Sequence, residues 1–197
     1  MSASARLFAR VHAGGDELAF EDRSSGERLS WGELDRASRR YATALASAGV
    51  KAGDRVATFA GTSFDLIVAL LGHYRLGAVH VPINTRYRGE ELEHVLSDSG
   101  AKLVVADAAG LELLGQLSQP GLRVAGIDDA EGAELDLRRG AVADRLQLDE
   151  PLPGDDALAL MIYTSGTTGK SKGVCLTYEA VVGGIDALTT LWQWSDA

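Results

Sequence analysis

Three short apolar runs begin near residues 55, 79 and 102, about 23 residues apart, and that spacing constrains the fold more than any other feature. Consecutive strands joined by a tight hairpin would follow within a few residues. A gap of this size leaves room for one helix, the crossover that parallel strands need. The intervening segments read as such helices. Ser30 is an N-cap with Glu33 three residues on, a capping box, and Leu34, Ala37, Tyr41, Leu45 and Ala48 follow on one helical stripe until Gly49. Phe64 to Tyr74 predicts a largely buried helix ending near Gly77, Glu90 to Leu96 an amphipathic one, and Leu111 to Leu117 another. Arg55–Ala60, Val79–Val81 (stopped by Pro82) and Leu103–Ala106 are the strands. The fold class expected is α/β, a doubly wound, mostly parallel sheet with flanking helices. Asp128 to Asp136 is acidic and poor in apolar residues, and is expected to be a solvated loop. Leu152-Pro-Gly-Asp155 is a turn, and Thr177 caps a last helix running to Leu188–Leu191.

The chemistry is concentrated in Tyr163-Thr-Ser-Gly-Thr-Thr-Gly-Lys-Ser-Lys-Gly-Val174. Leu158-Ala-Leu-Met-Ile162 ahead of it has the character of a buried strand. Gly166, Gly169 and Gly173 permit positive φ and close backbone approach, so successive N–H groups can line an anion-binding concavity. Thr164, Ser165, Thr167 and Thr168 add hydroxyl donors, and Lys170 and Lys172 add positive charge. A Ser/Thr/Gly linker has no reason to follow a strand directly with lysines in register. Gly169-Lys170-Ser171 mimics the end of the P-loop of nucleotide hydrolases. That motif needs a glycine five positions before Gly169, where Thr164 stands, and Gly166 is only three before. The arc is too short for that cradle.

The string resembles the phosphate loop of the adenylate-forming superfamily, which includes acyl-CoA synthetases, aryl-CoA ligases and peptide-synthetase adenylation domains. Tyr163 through Gly169, then Lys172, Gly173 and Val174, match its pattern. Leu29-Ser-Trp-Gly-Glu-Leu34, Gly53-Asp-Arg-Val56, Leu76-Gly-Ala-Val79 with Val81-Pro-Ile-Asn84, and Asp98-Ser-Gly-Ala-Lys102 look like the opening landmarks of an acyl-CoA synthetase, in order. The resemblance implies that Thr164, Ser165, Gly166, Thr167, Thr168, Gly169 and Lys172 hold the β- and γ-phosphates of ATP, with Thr168 and Lys172 closest to the chemistry. It implies ATP with Mg²⁺ and a carboxylic acid as substrates, an acyl-adenylate intermediate, and CoA as acceptor. No metal ligand is assigned within the chain, and Lys170 is expected to be solvated. Val81-Pro-Ile-Asn-Thr-Arg86 and Ser171 lean toward the fatty-acyl or malonyl type. Ser171 and Tyr178 depart from the commoner proline and histidine. Tyr178 reads as a half-buried aromatic at a helix start rather than a substrate contact.

The formal net charge of −9 argues against a nucleic-acid or anionic-membrane surface. A single cysteine, Cys175, excludes an internal disulfide framework and fits a reducing cytoplasm. No run approaches the ~20 apolar residues of a membrane span. His12, His73, His80 and His94 show no metal spacing and read as surface or packing residues. Trp192 and Trp194 each want on the order of 200 Å² of buried contact close to the end of the sequence. The expectation is therefore the partial N-terminal domain of such a ligase. Residues 1–150 would form a first α/β subdomain and 151–197 the phosphate-loop strand and the start of the next, with the C-terminal remainder missing. Alone, the fragment is expected to be inactive. The alternative is a short non-catalytic module of the same fold that binds phosphate or a partner.

Overall fold

The computed structural model describes residues 1–117, 121–138, 152–164 and 170–194. Along the chain run α1 (Ala3–Ala13), β1 (Leu18–Glu21), β2 (Arg28–Ser30), α2 (Trp31–Ser47), β3 (Arg55–Phe59), α3 (Phe64–Leu76), β4 (Val79–Pro82) and α4 (Gly89–Ser99). Then come β5 (Leu103–Ala106), α5 (Ala108–Leu114), β6 (Val124–Gly126), β7 (Leu135–Asp136), β8 (Leu158–Thr164), β9 (Lys172–Thr177) and α6 (Tyr178–Leu191). Seven strands make one sheet in the order β7-β6-β5-β3-β4-β8-β9, and β1 and β2 pair separately. The crossover spacing has its predicted result. β3 pairs in parallel with both β4 and β5, so the winding reverses direction beside β3. Among the described strands only β9, paired to β8 across a hairpin, is antiparallel in this sheet.

Local signals set the helix ends. Ser30 and Glu33 form the full capping box of α2. Gly77 closes α3 in the left-handed region, φ 75°, where a Cβ would be strained. Thr177 caps α6 by accepting from the Ala180 N–H. The third central helix differs from its expectation. It starts at Ala108 instead of Leu111, because Asp107 accepts the Gly110 N–H and caps it early.

Strand residues alternate between two cores, as buried parallel strands must. Val56, Leu103 and Val105 face α2 and α3 with Leu34, Tyr41, Leu45 and Val68. Ala57, Val104 and Ala106 face α4 with Leu92, Val95 and Leu96. A third cluster joins Phe8 of α1 and Tyr74 of α3 to Tyr178 and Val182 of α6.

Three expectations need correction. Residues 128–136 are not simply a solvated loop. Leu135 and Asp136 form β7 on the sheet edge, Ala130 is buried, and Asp128 accepts from the Ser63 hydroxyl at 2.7 Å. The run before the phosphate motif is a strand, but Leu158 is 40% and Ile162 38% exposed, left open by the described elements. Tyr178 starts α6 as expected but is fully buried, its hydroxyl donating to the Tyr74 carbonyl at 2.7 Å. The sheet is continuous across residue 151 through the parallel pairing of His80 on β4 with Leu160 on β8.

Candidate functional site: the β8–β9 hairpin

β8 runs parallel to the central strands, so the hairpin that follows it lies at the carboxyl end of the sheet, where open α/β sheets place their ligands. Thr164 and Lys172 stand directly opposite each other as the last pair of the ladder. They close the turn between them. Both side chains are exposed, and Lys172 makes no ion pair among the described residues. Lys170 is also exposed. Ser165, Gly166, Thr167, Thr168 and Gly169 lie outside the described residues.

Gly173 has a different role from the one its motif position suggested. It sits in extended β9 opposite Tyr163, and its φ is not positive. A Cβ there would come within 3.2 Å of the Tyr163 ring and of Met161. The glycine leaves room for the Tyr163 ring, which a side chain would crowd.

That ring reaches α4. The Tyr163 hydroxyl donates to Asp98 Oδ2 at 2.6 Å. One helical turn earlier, His94 Nε2 donates to the Ser171 carbonyl at 2.8 Å, and its ring meets Tyr163 edge-on at 6.2 Å. Partial burial, then the bond to Asp98 and that carboxylate's charge, raise the Tyr163 phenol above its ordinary range. It stays protonated and remains a donor. Sequence reading treated His94 as surface or packing and Asp98 as a landmark. The signal available was their four-residue separation, which puts both on one helical face.

The other buried imidazoles lie deeper. Tyr41 Oη and His73 Nε2 are 3.1 Å apart, His73 Nδ1 and His80 Nδ1 2.9 Å, and His80 Nδ1 lies 3.2 Å from Thr58 Oγ1. Desolvation pushes both histidines down, His80 to about 4, so the pair is neutral near pH 7. They tie α2, α3, β3 and β4 together beneath β8. Among the described residues no group of three or more His, Cys, Asp or Glu could hold a metal ion.

The AMP-binding enzyme family aligns to residues 7–196. The chain belongs to this family. The long-chain-fatty-acid–CoA ligase FadD13 of Mycobacterium tuberculosis is 36% identical over 173 residues, 83% of this chain and 32% of that protein. The 4-coumarate–CoA ligase 3 of Oryza sativa is 32% identical over 176 residues, 89% of this chain and 32% of the relative. The crystal structure of ATP-bound MatB from Rhodopseudomonas palustris superimposes with a TM-score of 0.82 at 30% identity, covering 99% of this chain and 39% of that one. The chain thus spans about a third of the length of the curated relatives it matches. No helix among the described residues is long and apolar enough to cross a membrane.

Proposed function

We propose that this chain is the N-terminal part of an ATP-dependent carboxylate–CoA ligase, which activates an acid as its acyl-adenylate and passes the acyl group to CoA. The observation that carries the reading is the hairpin. The phosphate-type sequence is the turn of a β8–β9 ladder closed by Thr164 and Lys172, at the ligand end of a doubly wound sheet, in a member of the AMP-binding family. Thr164, Ser165, Gly166, Thr167, Thr168, Gly169 and Lys172 are assigned to the β- and γ-phosphates of MgATP. The magnesium would enter with the nucleotide, since the described residues offer it no ligand cluster.

In the first half-reaction a carboxylate oxygen attacks the α-phosphorus and pyrophosphate leaves. Charge builds on oxygens that already adjoin other phosphates, so the barrier is mainly electrostatic. The motif's side chains are assigned as the donors that answer this charge. Lys172 holds a full positive charge at the ladder's end, while the hydroxyls of Thr164, Ser165, Thr167 and Thr168 donate to phosphate oxygens. In the second half-reaction the CoA thiolate attacks the acyl carbon, AMP departs and a thioester forms. Relatives named for long-chain fatty acids and 4-coumarate support a hydrophobic acid as substrate. Residues 1–150 are assigned to a first α/β subdomain and 151–197 to the start of the next, the two sharing one sheet through the pairing of β4 with β8. The exposed apolar edge made by Ile162, Val174, Ile185, Leu188, Leu191, Trp192 and Trp194 supports a further stretch of chain packing there. An exposed Cys175 thiol fits a cytoplasmic setting.

The test is pyrophosphate release and thioester formation by the full gene product, given MgATP, CoA and a panel of fatty and aryl acids. Acid-dependent release of both products is expected. A protein that binds MgATP but forms neither adenylate nor thioester with any acid overturns the ligase reading and favours a non-catalytic module.

A further inference from the structure

The turn that closes at Thr164 and Lys172 is attached to α4 on both sides. The strand entering it is held through Tyr163, whose hydroxyl donates to Asp98 at 2.6 Å. The chain leaving it is held through the Ser171 carbonyl, which accepts from His94 Nε2 at 2.8 Å. His94 and Asp98 are one helical turn apart, so a single rigid face grips both feet of the loop. α4 is itself fixed. Leu92, Val95 and Leu96 are buried against the sheet, and Gly100 ends the helix at φ 59°. Arg55 of β3 donates to the Ser99 carbonyl at 2.8 Å and the Gly100 carbonyl at 3.0 Å. Gly173 leaves room for the Tyr163 ring that completes the grip.

A polyphosphate site carried on one hairpin gains affinity when the strands on either side of it are held in place before the ligand binds. We propose that His94 and Asp98 are positioning residues, which fix the two feet of the turn and thereby raise its affinity for the polyphosphate of MgATP. This rests on the reading of the turn given above. Neither residue need touch the nucleotide. His94 acts through the Ser171 carbonyl and Asp98 through Tyr163, at the cost of one hydrogen bond each if removed.

The experiment combines amide hydrogen exchange without nucleotide and calorimetric titration with MgATP, on the full gene product. His94→Phe keeps a ring against Tyr163 and loses the donor. It should speed exchange of amides 164–172 and raise the MgATP dissociation constant, each about two- to tenfold, with β5 amides unchanged. His94→Gln, which retains an N–H donor, should recover most of both effects. Tyr163→Phe removes only the hydroxyl that Asp98 accepts from, and should shift both readouts in the same direction if His94→Phe does not fold. Unchanged turn exchange in the folded variants overturns the proposal, as does faster exchange at unaltered MgATP affinity. No MgATP binding by the unsubstituted protein overturns the reading of the turn itself. That failure is seen before any variant is made, so the two are told apart.

Discussion

β5 and β9 belong to one sheet and both carry apolar residues, yet their fates differ. Leu103, Val104, Val105 and Ala106 of β5 are all fully buried. In β9, Val174 is 44% exposed and Cys175 is open as well. The strands' own residues do not cause the difference. β5 has α3 and α2 stacked on one face and α4 on the other. β9 is an edge strand with α6 nearby, and α6 leaves Ile185, Leu188 and Leu191 uncovered. Period and propensity make a strand, but what lies above and below decides whether it is core. The same holds for Trp192 and Trp194, whose rings meet edge-on at 4.8 Å and remain exposed.

The contrast can be broken most directly by truncation. Leu103→Ala should cost about 2–5 kcal/mol, the usual loss for a fully buried leucine whose site cannot collapse. Val174→Ala on the edge should cost under about 1 kcal/mol. Urea unfolding of both variants decides it, and equal losses would mean that the edge is packed after all.

Acid sharpens the same contrast from inside the core. His80 is neutral in the folded state with its pKa at about 4, against an ordinary 6.5 in the unfolded chain. As pH falls below 6.5 the unfolded state takes the proton first, so the stability that neutral His80 contributes drops between pH 6.5 and about 4 and levels off beneath, while the likewise lowered His73 adds a fall of its own. The loss from His80 approaches about 3 kcal/mol. His80→Asn, which keeps polar partners and does not titrate there, should flatten that limb. An unchanged acid limb in the variant would remove His80 as its cause. At the edge the corresponding change is functional: Lys172→Ala should weaken MgATP binding about ten- to a hundredfold while leaving the urea midpoint where it was. Smallest of all, Trp194→Ser should alter the stability of the chain as described by under ~0.5 kcal/mol, and its fluorescence should be readily quenched by iodide.

Much of this was legible beforehand, and the residues say why. The strand spacing fixed parallel neighbours because only a helix fits the gap. Ser30-x-x-Glu33 and Gly77 marked helix ends because their chemistry is local. The residue types of the motif point to an anion site, whereas Gly173 is extended and lies beside the Tyr163 ring, which only the cross-strand register reveals. β1, β2, β6, β7 and α1 were not legible. Strands of two to four residues carry too short a pattern, and β7 depends on β6 beside it. The exposure of β8 could not be read from an apolar run, since burial depends on neighbours far away in sequence. His94 and Asp98 looked ordinary because their partners lie 77 and 65 residues away.

The central claim is that the turn between β8 and β9 holds the polyphosphate of ATP. Amide hydrogen exchange of the full gene product with and without MgATP tests it at the residues concerned. Slowed exchange across 164–172, lost in Lys172→Ala, is the expected result. Nucleotide binding that protects other segments and leaves those amides unaffected would contradict it.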